Sequence, residues 1–243
     1  MTTHQAAGDA GTVQMDEYRP LLPPEGVERI RELRQTLLQG QSDEAGEETV
    51  SFLHLTLKVP AEVMTPCPVS PLFGQAIVAE LDEGERMLDM GTGSGSLSVL
   101  AAGTAGHVLA VDLNPHAVEA ARVNAALNGV SDRVEVRQSD VFTNVDGTFD
   151  LIVFNPPFQW FAARDVADAA TQDENYGALT RFFREVRGYL ADDGRVMVFF
   201  STMGDVHYLH KLIADAGFQR EEVLQHSAPV AGTQVDFFAY LLR

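Results

Sequence analysis

From residue 70 onward the chain alternates short apolar runs with helical stretches, and few folds accept that alternation. ERMLDM, HVLAVDL, RVEVRQS, FDLIVFN and GRVMVFFS read as successive strands. Helices are expected between them. Ser70 and Pro71 fit N-cap and first helical position of one that runs to about Leu81, and Leu97, Val99 and Leu100 mark a second. Asn114 and Pro115 open a third, which Asn128 and Gly129 close. Two more are expected, near 177–190 and ending around Gly217, followed by strand-like segments near 219–226 and 235–242. Short apolar strands separated by helices require a mostly parallel sheet covered on both faces, so the expected fold is α/β and doubly wound. In such a sheet ligands gather at the carboxyl ends of the strands, where strand order reverses, and the informative residues should follow each strand.

The segment before this alternation divides in two. Residues 1–20 are polar, rich in Gly and Ala and aperiodic, as a mobile tail would be. Residues 21–69 hold a helix after Pro23 and Pro24, with Val27, Ile30, Leu33 or Arg34, and Leu37 at helical spacing, ending near Gly40. The acidic stretch QSDEAGEE then leads into TVSFLHLTLKV, an extended strand or hairpin. Cys67 is the only cysteine, and neither a CxxC pair nor an HExxH run offers a zinc site. His207 and His210 can share a helix face but lack a third ligand. With no signal-peptide pattern and no run of about 18 apolar residues, a soluble cytoplasmic protein is the default.

The first strand of the sheet ends in LDMGTGSG, with Asp89 two residues before Gly91 and further glycines at Gly93 and Gly95. Small residues let a turning backbone approach a ligand closely. A nicotinamide fold wants GxGxxG, whereas here the third glycine comes one residue early and an acid precedes the first. The second strand carries Asp112 at its carboxyl end, about 20 residues beyond the first glycine, where an acid can accept both ribose hydroxyl protons. Asp140, in QSDVF after the third strand, can accept from an adenine amino group, with Val141 or Phe142 against the ring.

The ordered series LDMGTGSG, VDLNPHAV, QSDVF and FDLIVFNPPF resembles the motifs of class I S-adenosylmethionine-dependent methyltransferases over roughly residues 70–243. The resemblance implies a Rossmann-like sheet of seven strands, the last antiparallel, and S-adenosylmethionine as cofactor. It implies that Gly91, Thr92, Gly93 and Gly95 line the methionine end, with Asp89 near the amino group. Asp112 and Leu113 would hold the ribose side, Asp140 and Val141 the adenine, and Asn155 would close the site. Residues 21–69 would then be a substrate-side appendage to a catalytic domain of residues 70–243.

The fourth strand ends in Asn155, Pro156, Pro157 and Phe158. Prolines can simply end a strand while the phenylalanine packs into core, but that leaves the asparagine without a role. A planar nitrogen is a poor nucleophile because its lone pair is delocalised, a resonance worth about 18–20 kcal/mol of rotation barrier in a peptide bond. The Asn155 side-chain oxygen and the Pro156 carbonyl can each accept from an NH2 group and hold its protons away from the line of attack. Phe158 can stack on the flat group. Such a tetrad resembles those of N6-adenine DNA, guanine-N2 RNA and protein N5-glutamine (release-factor) methyltransferases. The last are closest overall, since TPCPVSPLFGQAIV resembles their helix before the sheet and TVSFLHLTLKV their hairpin. Two departures stand out: one helix in place of their N-terminal bundle, and phenylalanine where their tetrad usually has tyrosine.

Lys+Arg 17 against Asp+Glu 35 leaves a net charge of -18, the wrong sign for a protein that grips phosphates, so nucleic acid is an unexpected partner. Acidity of this kind serves solubility, and it also suits a cationic substrate. Joined to the shortened N-terminal region, it favours a small cationic acceptor, foremost the guanidino group of arginine in a biosynthetic pathway, with protein glutamine as the alternative. A guanidinium must lose a proton, which Asp173 or Glu174 in the following loop can take. Pro157 would also touch the acceptor. Trp160 either walls the acceptor pocket or packs beneath the loop, and Tyr176 is either a substrate contact or cap packing. No membrane partner is expected, and a homodimer is compatible with the sequence.

Overall fold

The computed structural model describes residues 18–39 and 46–243; the first seventeen residues of the expected tail and most of the acidic stretch lie outside the described residues. In chain order the helices are α1 (Pro24–Gln39), α2 (Ser70–Glu80), α3 (Ser96–Ala101), α4 (Pro115–Leu127), α5 (Gly177–Glu185) and α6 (Val206–Asp215). The strands are β1 (Glu48–Phe52), β2 (Leu55–Val59), β3 (Arg86–Met90), β4 (His107–Asp112), β5 (Val134–Gln138), β6 (Phe149–Phe154), β7 (Leu190–Ser201), β8 (Arg220–Val230) and β9 (Thr233–Leu242). β3 to β9 form one seven-stranded sheet in the order β5-β4-β3-β6-β7-β9-β8, parallel except that β9 runs antiparallel to both neighbours. β1 and β2 make a separate antiparallel hairpin.

Strand alternation sorts the core into two layers. Met87, Val108, Ala110, Leu151, Val153, Met197 and Phe199 point to one face, with the hairpin, α2, α3 and α4. Their neighbours Leu88, Leu109, Val111, Ile152, Phe154, Val198 and Phe200 point to the other, with α5 and α6. Leu151, Ile152 and Val153 are all fully buried, which is why β6 reads as a continuous apolar run rather than an alternating one. The chain leaves β3 toward β4 and β5, then returns to β6 on the opposite side of β3. That reversal creates the crevice at the carboxyl ends of β3 and β6.

Local expectations hold with instructive exceptions. Asn114 caps α4, its side chain accepting from His116 N, and Gly129 leaves the helix at φ 72. Ser70 does not cap α2: a turn from Cys67 starts the helix one residue earlier, Val69 takes the cap position, and the serine hydroxyl lies 3.0 Å from Cys67 Sγ. The helix expected near 177–190 ends as α5 at Glu185 and tightens into a 3₁₀ turn, Val186–Tyr189. Tyr18, placed by sequence in the tail, is 8% exposed, packed among Trp160, Tyr176 and Tyr208. No described helix is long and apolar enough to cross a membrane.

The hairpin is tied to the sheet domain by α4. Asn124, fully buried, accepts from Lys58 N (2.8 Å) and donates to Lys58 O and Ser94 O (2.8 Å each), so one side chain joins β2 to the glycine loop. Asn124→Ala strands these groups and is expected to cost about 2 kcal/mol of unfolding free energy, read as a lowered denaturation midpoint.

Candidate active site

A cavity of about 280 Å³ opens at the carboxyl ends of β3, β4 and β6, near the lower limit of the roughly 300–1,000 Å³ usual for small-molecule pockets. One wall is the turn from β3 into α3. Gly91, Gly93 and Gly95 there take φ of 69, 56 and 80°, and the amides of Gly91 and Thr92 both donate to Val111 O at 2.9 Å. Gly95 is required twice over, since its φ is left-handed and a Cβ would sit 2.9 Å from Ala121 Cα on α4. Gly91, Thr92 and Gly93 line the cavity; Gly95 instead packs the loop against α4.

Asp89 lies away from the cavity, contrary to its expected contact with a ligand amino group. Alternation along β3 sends Met90 to the cavity and Asp89 into the loop, where it is 1% exposed and its Oδ2 accepts from Thr92 Oγ1 (2.7 Å) and Ser98 Oγ (2.5 Å). Burial pushes its carboxyl above the ordinary value despite those two donors. Asp112 does line the cavity. Its Oδ2 accepts from Gly93 N and its Oδ1 from Asn114 N, each at 2.8 Å, and burial raises its pKa against the pull of those amides.

Leu113, Asp140 and Val141 complete this side. Leu113 is 56% exposed, a large apolar surface left open beside the cavity. Val141 holds φ 50, an uncommon strain for a β-branched residue, steadied by Ser139 Oγ donating to Val141 O at 2.8 Å. Asp140 forms an ion pair with Arg181. An open apolar plate, an acid at the end of β4 and a strained turn after β5 fit a nucleoside.

The opposite wall carries the tetrad. Asn155 and Pro157 line the cavity, whereas Pro156 and Phe158 do not. Phe158 is packed between the core layers, with its ring 5.4 Å from that of Phe200 and 6.2 Å from that of Phe199, so the expected stacking on a substrate is not its position here. Asn155 Oδ1 is buried and has no hydrogen-bond partner. The backbone behind it is braced from far away in sequence. Tyr176 donates to Phe158 O (2.6 Å) and accepts from Asp205 N (2.8 Å), while Asp205, fully buried, accepts from Tyr18 Oη (2.9 Å) and Leu21 N (2.6 Å).

The loop 159–176 decides two open alternatives and corrects one expectation. Trp160 and Tyr176 are core packing rather than cavity wall: Trp160 is 8% exposed and Tyr176 fully buried, with its hydroxyl spent on the brace. Asp173 reaches the cavity, but its two oxygens accept from Ala178 N and Leu179 N at 2.9 Å each, which makes it an anchor for α5 rather than a poised base. Glu174 lines the cavity and is exposed. Gln172, Gly204 and Asp205 carry no signal that would single them out in sequence, because their importance comes from neighbours distant along the chain.

The parallel sheet with its antiparallel strand, the glycine turn and the acid after β4 are those of an S-adenosylmethionine-dependent methyltransferase. The chain belongs to the methyltransferase small domain family, whose model matches residues 70–226, and its methyl donor is S-adenosylmethionine. It is 32% identical over 166 residues to a Methanocaldococcus jannaschii protein provisionally named a protein N5-glutamine methyltransferase, matching 65% of this chain and 82% of that one. It is 35% identical over 180 residues to the release factor glutamine methyltransferase of Cereibacter sphaeroides, matching 71% of this chain and 61% of that one. Among solved structures, a ribosomal protein L11 methylase of Lactobacillus delbrueckii subsp. bulgaricus shares the fold, with a TM-score of 0.55 and 24% identity over 73% of this chain and 80% of that one.

These relatives overturn the small cationic acceptor. The two sequence relatives are named for the glutamine of a protein substrate, and neither for a free amino acid or guanidino compound. The net charge of -18, on which the arginine expectation leaned, is a property of the whole surface and does not identify the acceptor of one cavity.

Proposed function

We propose that this chain methylates the side-chain amide nitrogen of glutamine in a polypeptide. The observation that carries the reading is the Asn155 carboxamide, whose oxygen is buried and unpartnered on the wall of a cavity shared with the glycine turn. A buried acceptor left empty costs about 1–3 kcal/mol, and a donor entering the cavity recovers it. The names of the two glutamine-modifying relatives support the same acceptor.

When bound, S-adenosylmethionine supplies an electrophilic sulfonium methyl group. Gly93, Asp112, Leu113 and Val141 are the residues proposed to hold it, with Asp140 beside the adenine. Asn155 Oδ1 accepts one proton of the substrate NH2, and the Pro156 carbonyl, which is outside the cavity lining in this structure, takes the other once the substrate is bound. This turns the nitrogen so that its π face, rather than an N–H bond, meets the methyl carbon. Proline at 156 fixes φ and steadies the second acceptor. The donor would supply the methyl group and retain the electron pair of its S–C bond, and one N–H proton of the substrate would pass to water. Orientation and fixed dipoles supply the catalysis, with no covalent enzyme intermediate.

The test is incubation with labelled donor and glutamine-containing peptides, followed by fragmentation mass spectrometry. A single added methyl on the glutamine side chain is expected; label on carbon, or on free arginine alone, contradicts the reading. Donor binding should also depend on pH in a defined sense. Ribose hydroxyls are accepted by the charged form of Asp112, and burial raises its pKa. Donor affinity measured calorimetrically is therefore expected to weaken as pH falls, starting above the ordinary aspartate value of about 3.9.

A further inference from the structure

Among the described residues, two buried side-chain oxygens lack a hydrogen-bond partner, Asn155 Oδ1 and Gln172 Oε1, and both residues line the same cavity. Gln172 is 5% exposed and lies in the loop that follows the tetrad. Its orientation is set from behind. Nε2 donates to Gln159 Oε1 at 2.8 Å and to Thr171 Oγ1 at 3.1 Å, and the Thr171 hydroxyl is itself committed to Asp168 O at 3.1 Å. The backbone is held too: residues 159 and 172 form a parallel bridge, and Asp173 N donates to Gln159 O at 2.8 Å. A side chain fixed this firmly with its oxygen empty is a preformed acceptor, since an unsatisfied buried group is disfavoured unless a ligand completes it.

We propose that Gln172 Oε1 accepts a hydrogen bond from the main-chain N–H of the substrate glutamine, making it a specificity-determining residue for an amide carried in a polypeptide. The inference rests on the glutamine reading given above. There, Asn155 and the Pro156 carbonyl take both protons of the side-chain NH2, so a third fixed acceptor requires a third donor. A peptide glutamine has one in its own main chain; a simple aliphatic amide does not. Gln172 thus selects the residue that presents the amide, while Asn155 and Pro156 orient the nitrogen that reacts.

Two peptides decide the matter, identical except that in one the glutamine main-chain nitrogen carries a methyl group and has no proton to donate. With the full-length wild-type enzyme, the unmodified peptide is expected to show a kcat/KM about 10-fold higher, the scale of one well-placed hydrogen bond. Gln172→Met should lower kcat/KM for the unmodified peptide by a similar factor, chiefly through KM, and bring no further loss on the N-methylated one. Gln172→Glu keeps an acceptor oxygen and should restore the preference between peptides. Donor affinity should stay near wild type in both variants, while the melting temperature should fall in both, because each removes the donor to the buried Gln159 Oε1. Equal losses from Gln172→Met on both peptides, or a loss in donor affinity instead of peptide KM, would overturn the inference while leaving the glutamine reading in place. Failure of the wild-type enzyme to methylate either peptide would overturn both.

Discussion

Asn155→Ala is expected to keep S-adenosylmethionine bound with nearly unchanged affinity and to slow methyl transfer by about 10²- to 10³-fold, the cost of deleting one preorganised dipole at a reacting centre. The substrate nitrogen would lose the acceptor that turns its lone pair toward the methyl carbon, and the alanine methyl offers no replacement. The stability consequence runs the other way. Because Asn155 Oδ1 is buried without a partner, its removal takes away a desolvated polar atom, and the melting temperature should hold or rise. Loss of turnover without loss of stability separates a reacting-centre role from a structural one. Single-turnover methyl transfer with saturating donor, alongside thermal melting, reads both. A variant that is unstable, or one that turns over at the wild-type rate, would remove Asn155 from the mechanism.

Gly204→Ala is expected to disable the enzyme from behind the site. A Cβ at residue 204 would overlap the Phe158 carbonyl oxygen and lie 2.9 Å from both the Phe158 carbonyl carbon and Phe200 Cζ. Phe200 is fully buried in β7 and cannot yield, while Tyr176 holds the same carbonyl at 2.6 Å. The strain must therefore fall on the tetrad backbone. Overpacking of this kind costs about 1–3 kcal/mol, and a shift of about 1 Å in an orienting group can cost about 10² in rate. The expected result is a lowered denaturation midpoint together with a kcat reduced about 100-fold. Donor affinity should be far less affected, because the glycine turn is carried by different strands. An active Gly204→Ala enzyme of normal stability would show that Phe158 is free to move without consequence for Asn155.

Asp89 and Asp112 show where sequence reading succeeds and where it stops. Both acids follow from motif spacing, and both flank the glycine turn. By register Asp89 stands beside Ala110, two residues short of Asp112 and on the same face, and only the packed structure reveals that Ser98 and Thr92 cover it while Asp112 reaches the cavity. Beyond the end of β6, Asn155 and Pro157 reach the cavity while Pro156 and Phe158 do not, a division that the motif itself does not disclose. Asp173 illustrates a second limit. A carboxylate in a polar loop resembles a candidate base until its two oxygens are found on the amides of Ala178 and Leu179. Composition misled most about the acceptor, since net charge is a property of the whole surface and says little about one cavity.

What the chain's own order determined was local: strand, tight turn and helix in succession, glycines where φ turns positive, an acid about twenty residues on, and an asparagine at a strand end. These follow from backbone sterics and hydrophobic period, which act over a few residues and can be read directly. Tertiary structure alone decided which oxygens stayed empty, Asn155 Oδ1 and Gln172 Oε1, and which were already engaged. It also joined Tyr18 to Asp205 across 187 positions, bracing the tetrad. Hydrogen-bond satisfaction depends on groups brought together by the packed core, and no local pattern encodes who those neighbours will be.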